Sequence, residues 1–261
     1  MTYLSCSRER ELYLDLLEAA LLDTLYGTHV SDSQHWGPER AGQLATSEEI
    51  EEGQYWPARA HTMIGRKRLR NFRQAIGAVI EEDIAGDILE AGVWRGGASI
   101  YARGVLKAFG DTSRRVFVAD SFCGLPKPDQ RYPADEGDRH WEVDFLQASR
   151  PEVEANFRAY DLLDEQVVFV EGFFEESLPA TDIGTLSVLR LDGDMYSSTI
   201  QVLELLYAKV SNGGFVIIDD YNALPNCRRA VDDFRATHNI IDPLVPVDWT
   251  GVYWRVNALP S

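Results

Sequence analysis

Leu189-Arg190-Leu191-Asp192-Gly193-Asp194 and Phe215-Val216-Ile217-Ile218-Asp219-Asp220 are the two stretches that decide the fold. Each is a short apolar run that stops in carboxylates. A strand covered on both faces needs such a run, and its length suits a buried parallel strand. The acids then fall at the C-terminal edge of a sheet, where open α/β sheets bind their ligands. Asp192, Asp219 and Asp220 are therefore expected to converge on one hard metal ion.

The same rhythm extends outward on both sides. Strands are predicted at 87–90, 115–120, 167–172, 186–192 and 215–219, and helices at 98–109, 153–163 and 226–238. Another helix, carrying Ile200, Leu203 and Leu206, is expected to be capped by Ser197 or Ser198. Two last strands, 244–247 and 252–256, read as a hairpin across Thr250-Gly251. Alternating strands and helices predict an α/β fold with a parallel sheet over residues 86–261.

Residues 1–85 read as a helical cap and lid segment of the same domain. Leu12, Leu16, Ala19, Ala20 and Leu21 give 8–26 a helical period, and Leu69, Phe72, Ile76 and Val79 give the second helix an apolar face. Two stretches, 28–57 and 121–150, carry no period and are too long for routine connections, so both are expected to be binding lids. His35, Trp36, Tyr55, Trp56 and His140 within them are candidates to line an acceptor pocket.

At 261 residues with 45% hydrophobic and 26% charged content, the chain can bury a real core. A net charge of −17 argues against nucleic acid and anionic membrane surfaces as partners. Cys6, Cys123 and Cys227 lack the spacing of a zinc site or disulfide framework. The N-terminus lacks a signal-peptide pattern, and no apolar run reaches the ~18 residues of a membrane span, so a cytoplasmic protein is expected.

The chemistry begins at Glu90-Ala91-Gly92-Val93-Trp94-Arg95-Gly96-Gly97, a strand feeding a glycine turn. Its spacing is not the G-x-G-x-x-G that seats a pyrophosphate. Glu90 at the strand end suits a cation better than a phosphate. Asp120, closing the next strand, is placed to accept from both hydroxyls of a ribose. Together they favour S-adenosylmethionine, a cationic nucleoside without phosphate, over a structural turn with no ligand. Gly172-Phe173 after the third strand is a candidate cover for the adenine. On the metal side, all-oxygen ligands point to Mg²⁺ before Ca²⁺ or Mn²⁺. The competing reading is that these acids cap helices or pair with Arg190, Arg228 or Arg229. A metal would acidify an alcohol, with Asp192 taking the proton and His140 as rival base.

Thr62-Met63-Ile64-Gly65, the glycine turn, Ala119-Asp120-Ser121-Phe122, Leu191-Asp192-Gly193-Asp194-Met195-Tyr196 and Ile218-Asp219-Asp220-Tyr221 together resemble the macrocin O-methyltransferase family, over roughly residues 55–256. The resemblance implies a class I methyltransferase fold with a seven-stranded Rossmann-like sheet. It implies S-adenosylmethionine and Mg²⁺ as cofactors, with Asp192, Asp219 and Asp220 on the metal. Thr62, Met63, Ser99 and Ser121 are expected beside the cofactor with Glu90, Gly92 and Asp120, and Tyr221 beside the acceptor. The more distant catechol O-methyltransferases place a Lys three residues after the first metal Asp. Met195 stands there, which excludes a lysine base and favours Asp192.

The implied acceptor is a small glycosylated molecule, a deoxysugar hydroxyl on an antibiotic such as a macrolide. A nucleotide-linked sugar or a phenol is the alternative within the class. An NAD(P) oxidoreductase, the alternative outside it, would need a G-x-G turn and a Tyr/Lys pair that are not evident. The apolar stripe of the first helix points to a homo-oligomer, dimer or tetramer.

Overall fold

A computed structural model describes residues 2–26 and 43–257. Seven strands form one sheet: β1 (Asp87–Ala91), β2 (Val116–Asp120), β3 (Val167–Glu171), β4 (Leu186–Leu191), β5 (Val210–Ile218), β6 (Val245–Pro246) and β7 (Val252–Arg255). Their order is β3-β2-β1-β4-β5-β7-β6. The first five run parallel, while β7 pairs antiparallel with both β5 and β6. The order reverses between β1 and β4. Connections leave that point in opposite directions, which opens a crevice above the strand ends.

Alternation along the strands sorts the core into two layers. Ile88, Val116, Val118, Val188 and Ile217 pack under α1 (Thr2–Leu21), α3 (Gly65–Glu81), α4 (Gly97–Phe109) and α5 (Arg150–Ala159). Leu89, Phe117, Ala119, Leu189 and Ile218 pack under α6 (Phe174–Ala180), α7 (Tyr196–Leu206) and α8 (Pro225–Thr237). The expected elements are present with ends shifted by a few residues.

Three local expectations differ. Helix α1 buries Leu14, Leu17 and Leu21, whereas Leu12 and Leu16, read as part of its periodic face, are exposed. The segment taken as patternless contains α2 (Ser47–Glu52), whose N-terminus is a capping box: Glu49 N donates to Thr46 Oγ1, and Thr46 N donates to the Glu49 carboxylate. Six residues are too few to show a period. Neither Ser197 nor Ser198 caps α7. Its first amides, Tyr196 N and Ser197 N, each donate at 2.8 Å to the Asp135 carboxylate. Asp135 is fully buried and comes from the 121–150 insertion, which turns through short 3₁₀ segments at Pro133–Asp135, His140–Glu142 and Asp144–Leu146.

Candidate active site

A cavity of about 530 Å³ lies above the C-terminal strand ends, bounded by the 121–150 insertion and the chain around Trp56 and Trp249. At one end is the glycine turn after β1. Gly92 has φ +85°, and a Cβ there would meet the carbonyl oxygen of Asp192 at 1.7 Å. The glycine is thus required by the neighbouring strand end as well as by any ligand. Gly97 meets the chain from the other side. Its amide donates to His61 O at 2.9 Å, and its missing Cβ lets the 61–63 segment lie against the start of α4. This places Thr62 and Met63 on the cavity wall with Val93 and Trp94.

Asp120 is fixed by backbone. Its Oδ2 accepts from Val93 N and its Oδ1 from Phe122 N, both at 2.8 Å. The Ser121 hydroxyl lies 3.5 Å from Oδ1; a carboxylate has about four acceptor positions, so capacity remains for a hydroxyl in the cavity. Burial raises its pKa against those amide bonds. Trp94, Phe122 and Asp194 adopt left-handed backbone directly after β1, β2 and β4. Such costly conformations gather where a site must be shaped. Trp94 also donates its indole N–H to Phe145 O at 2.7 Å, and Trp56 stacks flat on Phe145. The chain at Trp56 and the 121–150 insertion therefore meet over the glycine turn.

Glu90 does not stand free in the cavity. Ser99 Oγ donates to one carboxylate oxygen and the Arg190 guanidinium to the other. Burial pushes its pKa up to about 7, with Arg190 opposing. Ser99 is fully buried behind it and does not reach the cavity, nor does Gly172, whose amide donates to Asp120 O. Ser121 and Phe173 do line it.

The other end of the cavity is acidic. Asp192, Asp194 and Asp220 each bring an oxygen to within 4.8 Å of the others. Burial pushes the Asp192 carboxyl up to about 8, helped by the neighbouring charge of Asp219. Asp194 and Asp220 are likewise raised, first by burial. Asp220 Oδ2 is buried without a hydrogen-bond partner among the described residues. Three half-buried carboxylates in mutual repulsion, one with an orphaned oxygen, fit a divalent cation that prefers oxygen, such as Mg²⁺.

Asp219 is placed differently from its neighbour. It is buried, and its two oxygens are taken by Arg190 and Arg68. Strand register explains this. Glu90, Arg190 and Ile217 lie side by side across β1, β4 and β5. Residues two further on, Asp192 and Asp219, project to the same face as Arg190, whereas Asp220 is out of step and turns to the cavity. The carboxylates that converge are thus Asp192, Asp194 and Asp220, and the arginine-pairing alternative describes Asp219. Arg228 lies over the Tyr221 ring, and Arg229 approaches Asp233.

His140 reaches the cavity from the insertion. Its Nδ1 lies 2.9 Å from the Asp138 carboxylate, and its backbone N–H donates to the same group. This contact leaves Nε2 for the cavity side. Of the remaining acceptor candidates, Trp56 lines the cavity. Tyr55 is core at 1% exposure, and the Tyr221 hydroxyl donates to Asp232 at 2.7 Å away from the lining. His35 and Trp36 lie outside the described residues. Sequence reasoning passed over Asp194, although it sits two residues after Asp192, and over Arg68, Asp135 and Asp138. Those three act across long sequence distance or within a loop, where no local window shows them.

A model of the family described as macrocin-O-methyltransferase (TylF) matches residues 10–256. The match begins within α1, well upstream of the roughly 55–256 that the motifs alone suggested. Demethyldecarbamoylnovobiocin O-methyltransferase of Streptomyces niveus is 48% identical over 252 residues, covering 95% of this chain and 94% of that protein. Mycinamicin III 3''-O-methyltransferase of Micromonospora griseorubida is 44% identical over 252 residues, covering 95% and 97%. The solved structure of the O-methyltransferase NovP is similar with a TM-score of 0.89 at 46% identity, covering 95% of this chain and all of that one. The calicheamicin methyltransferase CalS11, at 20% identity and a TM-score of 0.56, shares the fold.

Proposed function

The chain belongs to the macrocin O-methyltransferase family, and from that premise we propose that it methylates a deoxysugar hydroxyl on a glycosylated antibiotic intermediate, using S-adenosylmethionine and Mg²⁺. The relatives' names support the acceptor class. The observation that carries the metal is the convergence of Asp192, Asp194 and Asp220, with Asp220 Oδ2 buried and unpartnered. Asp219 is the remaining acid of this edge and supports the cluster through its two arginines.

The cofactor reading rests on the phosphate-free glycine turn, with Asp120 and the Thr62–Met63 wall beside it. When bound, Mg²⁺ supplies Lewis acidity that lowers the pKa of an alcohol. Asp192 Oδ2 accepts from Arg190 at 3.1 Å, while Oδ1 accepts no hydrogen bond from the described residues. Asp192 takes the hydroxyl proton as the acceptor oxygen bonds to the methyl carbon and the sulfonium carbon–sulfur bond breaks, leaving a thioether. His140, held by Asp138, orients the acceptor from the insertion. The lids over the turn exclude water and align the reacting atoms, which supplies much of the rate.

The test is methyl transfer from S-adenosylmethionine to a panel of glycosylated macrolide and aminocoumarin acceptors, read by mass spectrometry. Turnover is expected to vanish in excess EDTA and return with Mg²⁺. Asp192→Asn should lose about 10²–10⁴-fold in kcat while still binding S-adenosylmethionine by calorimetry. Unchanged turnover in EDTA would sink the metal mechanism.

A further inference from the structure

Arg190 is 1% exposed, as deeply enclosed as Glu90 beside it, and it is not among the residues that line the cavity. Its guanidinium touches three carboxylates at once. Nη1 donates to Glu90 Oε1, and Nη2 donates to Asp219 Oδ1 and, at 3.1 Å, to Asp192 Oδ2. Each anchor is itself held. Glu90 accepts from Ser99 at the first turn of α4, and Asp219 accepts from Arg68 of α3. Arg68 in turn donates to Asp248 at 2.8 Å. A rigid planar fork with both sides pinned can fix a third partner in a way that a flexible ammonium cannot.

We propose that Arg190 is a positioning residue for methyl transfer, clamped between Glu90 and Asp219 so that it holds Asp192 Oδ2 and presents Oδ1 alone to metal and acceptor. The proposal rests on the metal reading above. It deepens that reading by giving Glu90, on the cofactor side of the crevice, a grip on the metal side. The cross-strand register of Glu90 and Arg190 makes this a direct contact. It also explains why a buried strand otherwise made of Leu, Ser and Val carries an arginine near its C-terminal end. Groups that orient a metal-binding side chain are commonly worth 10–100-fold in metal affinity or activity.

The experiment compares Mg²⁺ affinity of the cofactor-free protein by calorimetry, together with kcat, KM and thermal unfolding, for wild type, Arg190→Lys and Glu90→Gln. Arg190→Lys keeps the charge and removes the fork. It is expected to weaken Mg²⁺ about 10–100-fold and to lower kcat similarly, with KM for S-adenosylmethionine within about threefold. Glu90→Gln keeps one acceptor oxygen for Arg190 and turns its amide N–H to the Ser99 hydroxyl. Losing the charge loosens the clamp, and should weaken Mg²⁺ several-fold although the change touches no metal-facing oxygen. A folded Arg190→Lys with wild-type Mg²⁺ affinity and kcat would overturn the proposal. Should that variant not fold, unchanged Mg²⁺ affinity in Glu90→Gln would overturn it instead. A wild type that binds no Mg²⁺ and ignores EDTA would mark failure of the metal reading itself, a result distinct from either variant outcome.

Discussion

The two ends of the cavity solve the same problem in opposite ways. Both must keep carboxylates at the edge of a sheet. At the cofactor end, Asp120 is held by two backbone amides from the turns that it shapes. Fixed dipoles meet part of its negative charge while burial still raises its pKa, so that end is shaped before any ligand arrives. At the acidic end, the proposed metal end, Asp192, Asp194 and Asp220 face one another, and Asp220 keeps a buried oxygen with no partner among the described residues. The arginines behind the cluster and His140 on the insertion offset part of the repulsion. One end is preorganised by hydrogen bonds, while the other is held in an unfavourable arrangement that a cation relieves. Binding at the first end then needs little rearrangement, and binding at the second should raise stability.

That contrast can be broken from either side. The largest effect is expected at Arg68, which is buried between Asp219 and Asp248. Arg68→Met leaves both acids without it, and should cost about 3–5 kcal/mol in urea unfolding. A loss below about 1 kcal/mol would show that the metal end is not held by its arginines.

At the cofactor end, Asp120→Ala strands the amides of Val93 and Phe122 and should cost about 1–3 kcal/mol without any ligand present. Hydrogen exchange at those two amides is the direct readout. If protection is unchanged, the turn is held by something other than Asp120.

Asp220→Asn should have the smallest effect and the opposite sign. Folding raises the Asp220 carboxyl well above its ordinary value. Such a group costs stability once the pH exceeds its unfolded value of about 3.9. Near neutral pH the variant should therefore be more stable in EDTA by about 1 kcal/mol. The gain should shrink as the pH falls towards 4, and the variant should lose the thermal shift on adding Mg²⁺. Destabilisation in EDTA at pH 7 would reverse the picture of that end.

Much of this edge was legible from the residues. Apolar runs ending in acids locate β4 and β5, and the misfit of the glycine turn with a pyrophosphate argues for a nucleoside without phosphate. What escaped did so for physical reasons. Asp219 and Asp220 are adjacent, and adjacent strand residues point to opposite faces, so they do not share one partner. Asp192 and Asp194 are two apart and bring oxygens to the same place. Register decides which acid meets Arg190, and register is a property of three strands rather than one. The cap on α7 escaped because its acceptor lies some sixty residues upstream, whereas the capping box of α2 was present in Thr46-Ser47-Glu48-Glu49 and simply short.

The buried carboxylate of Asp135 has a consequence for building hybrids. The insertion that roofs the cavity does not merely rest on the sheet. It supplies the first hydrogen bonds of the helix that follows the Asp192–Asp194 loop. Swapping this roof for a relative's, to accept a different sugar, exchanges part of the floor as well. A graft with its boundaries set inside 133–135 would sever the joint, and a transplant that carries the residue should keep floor and roof in register.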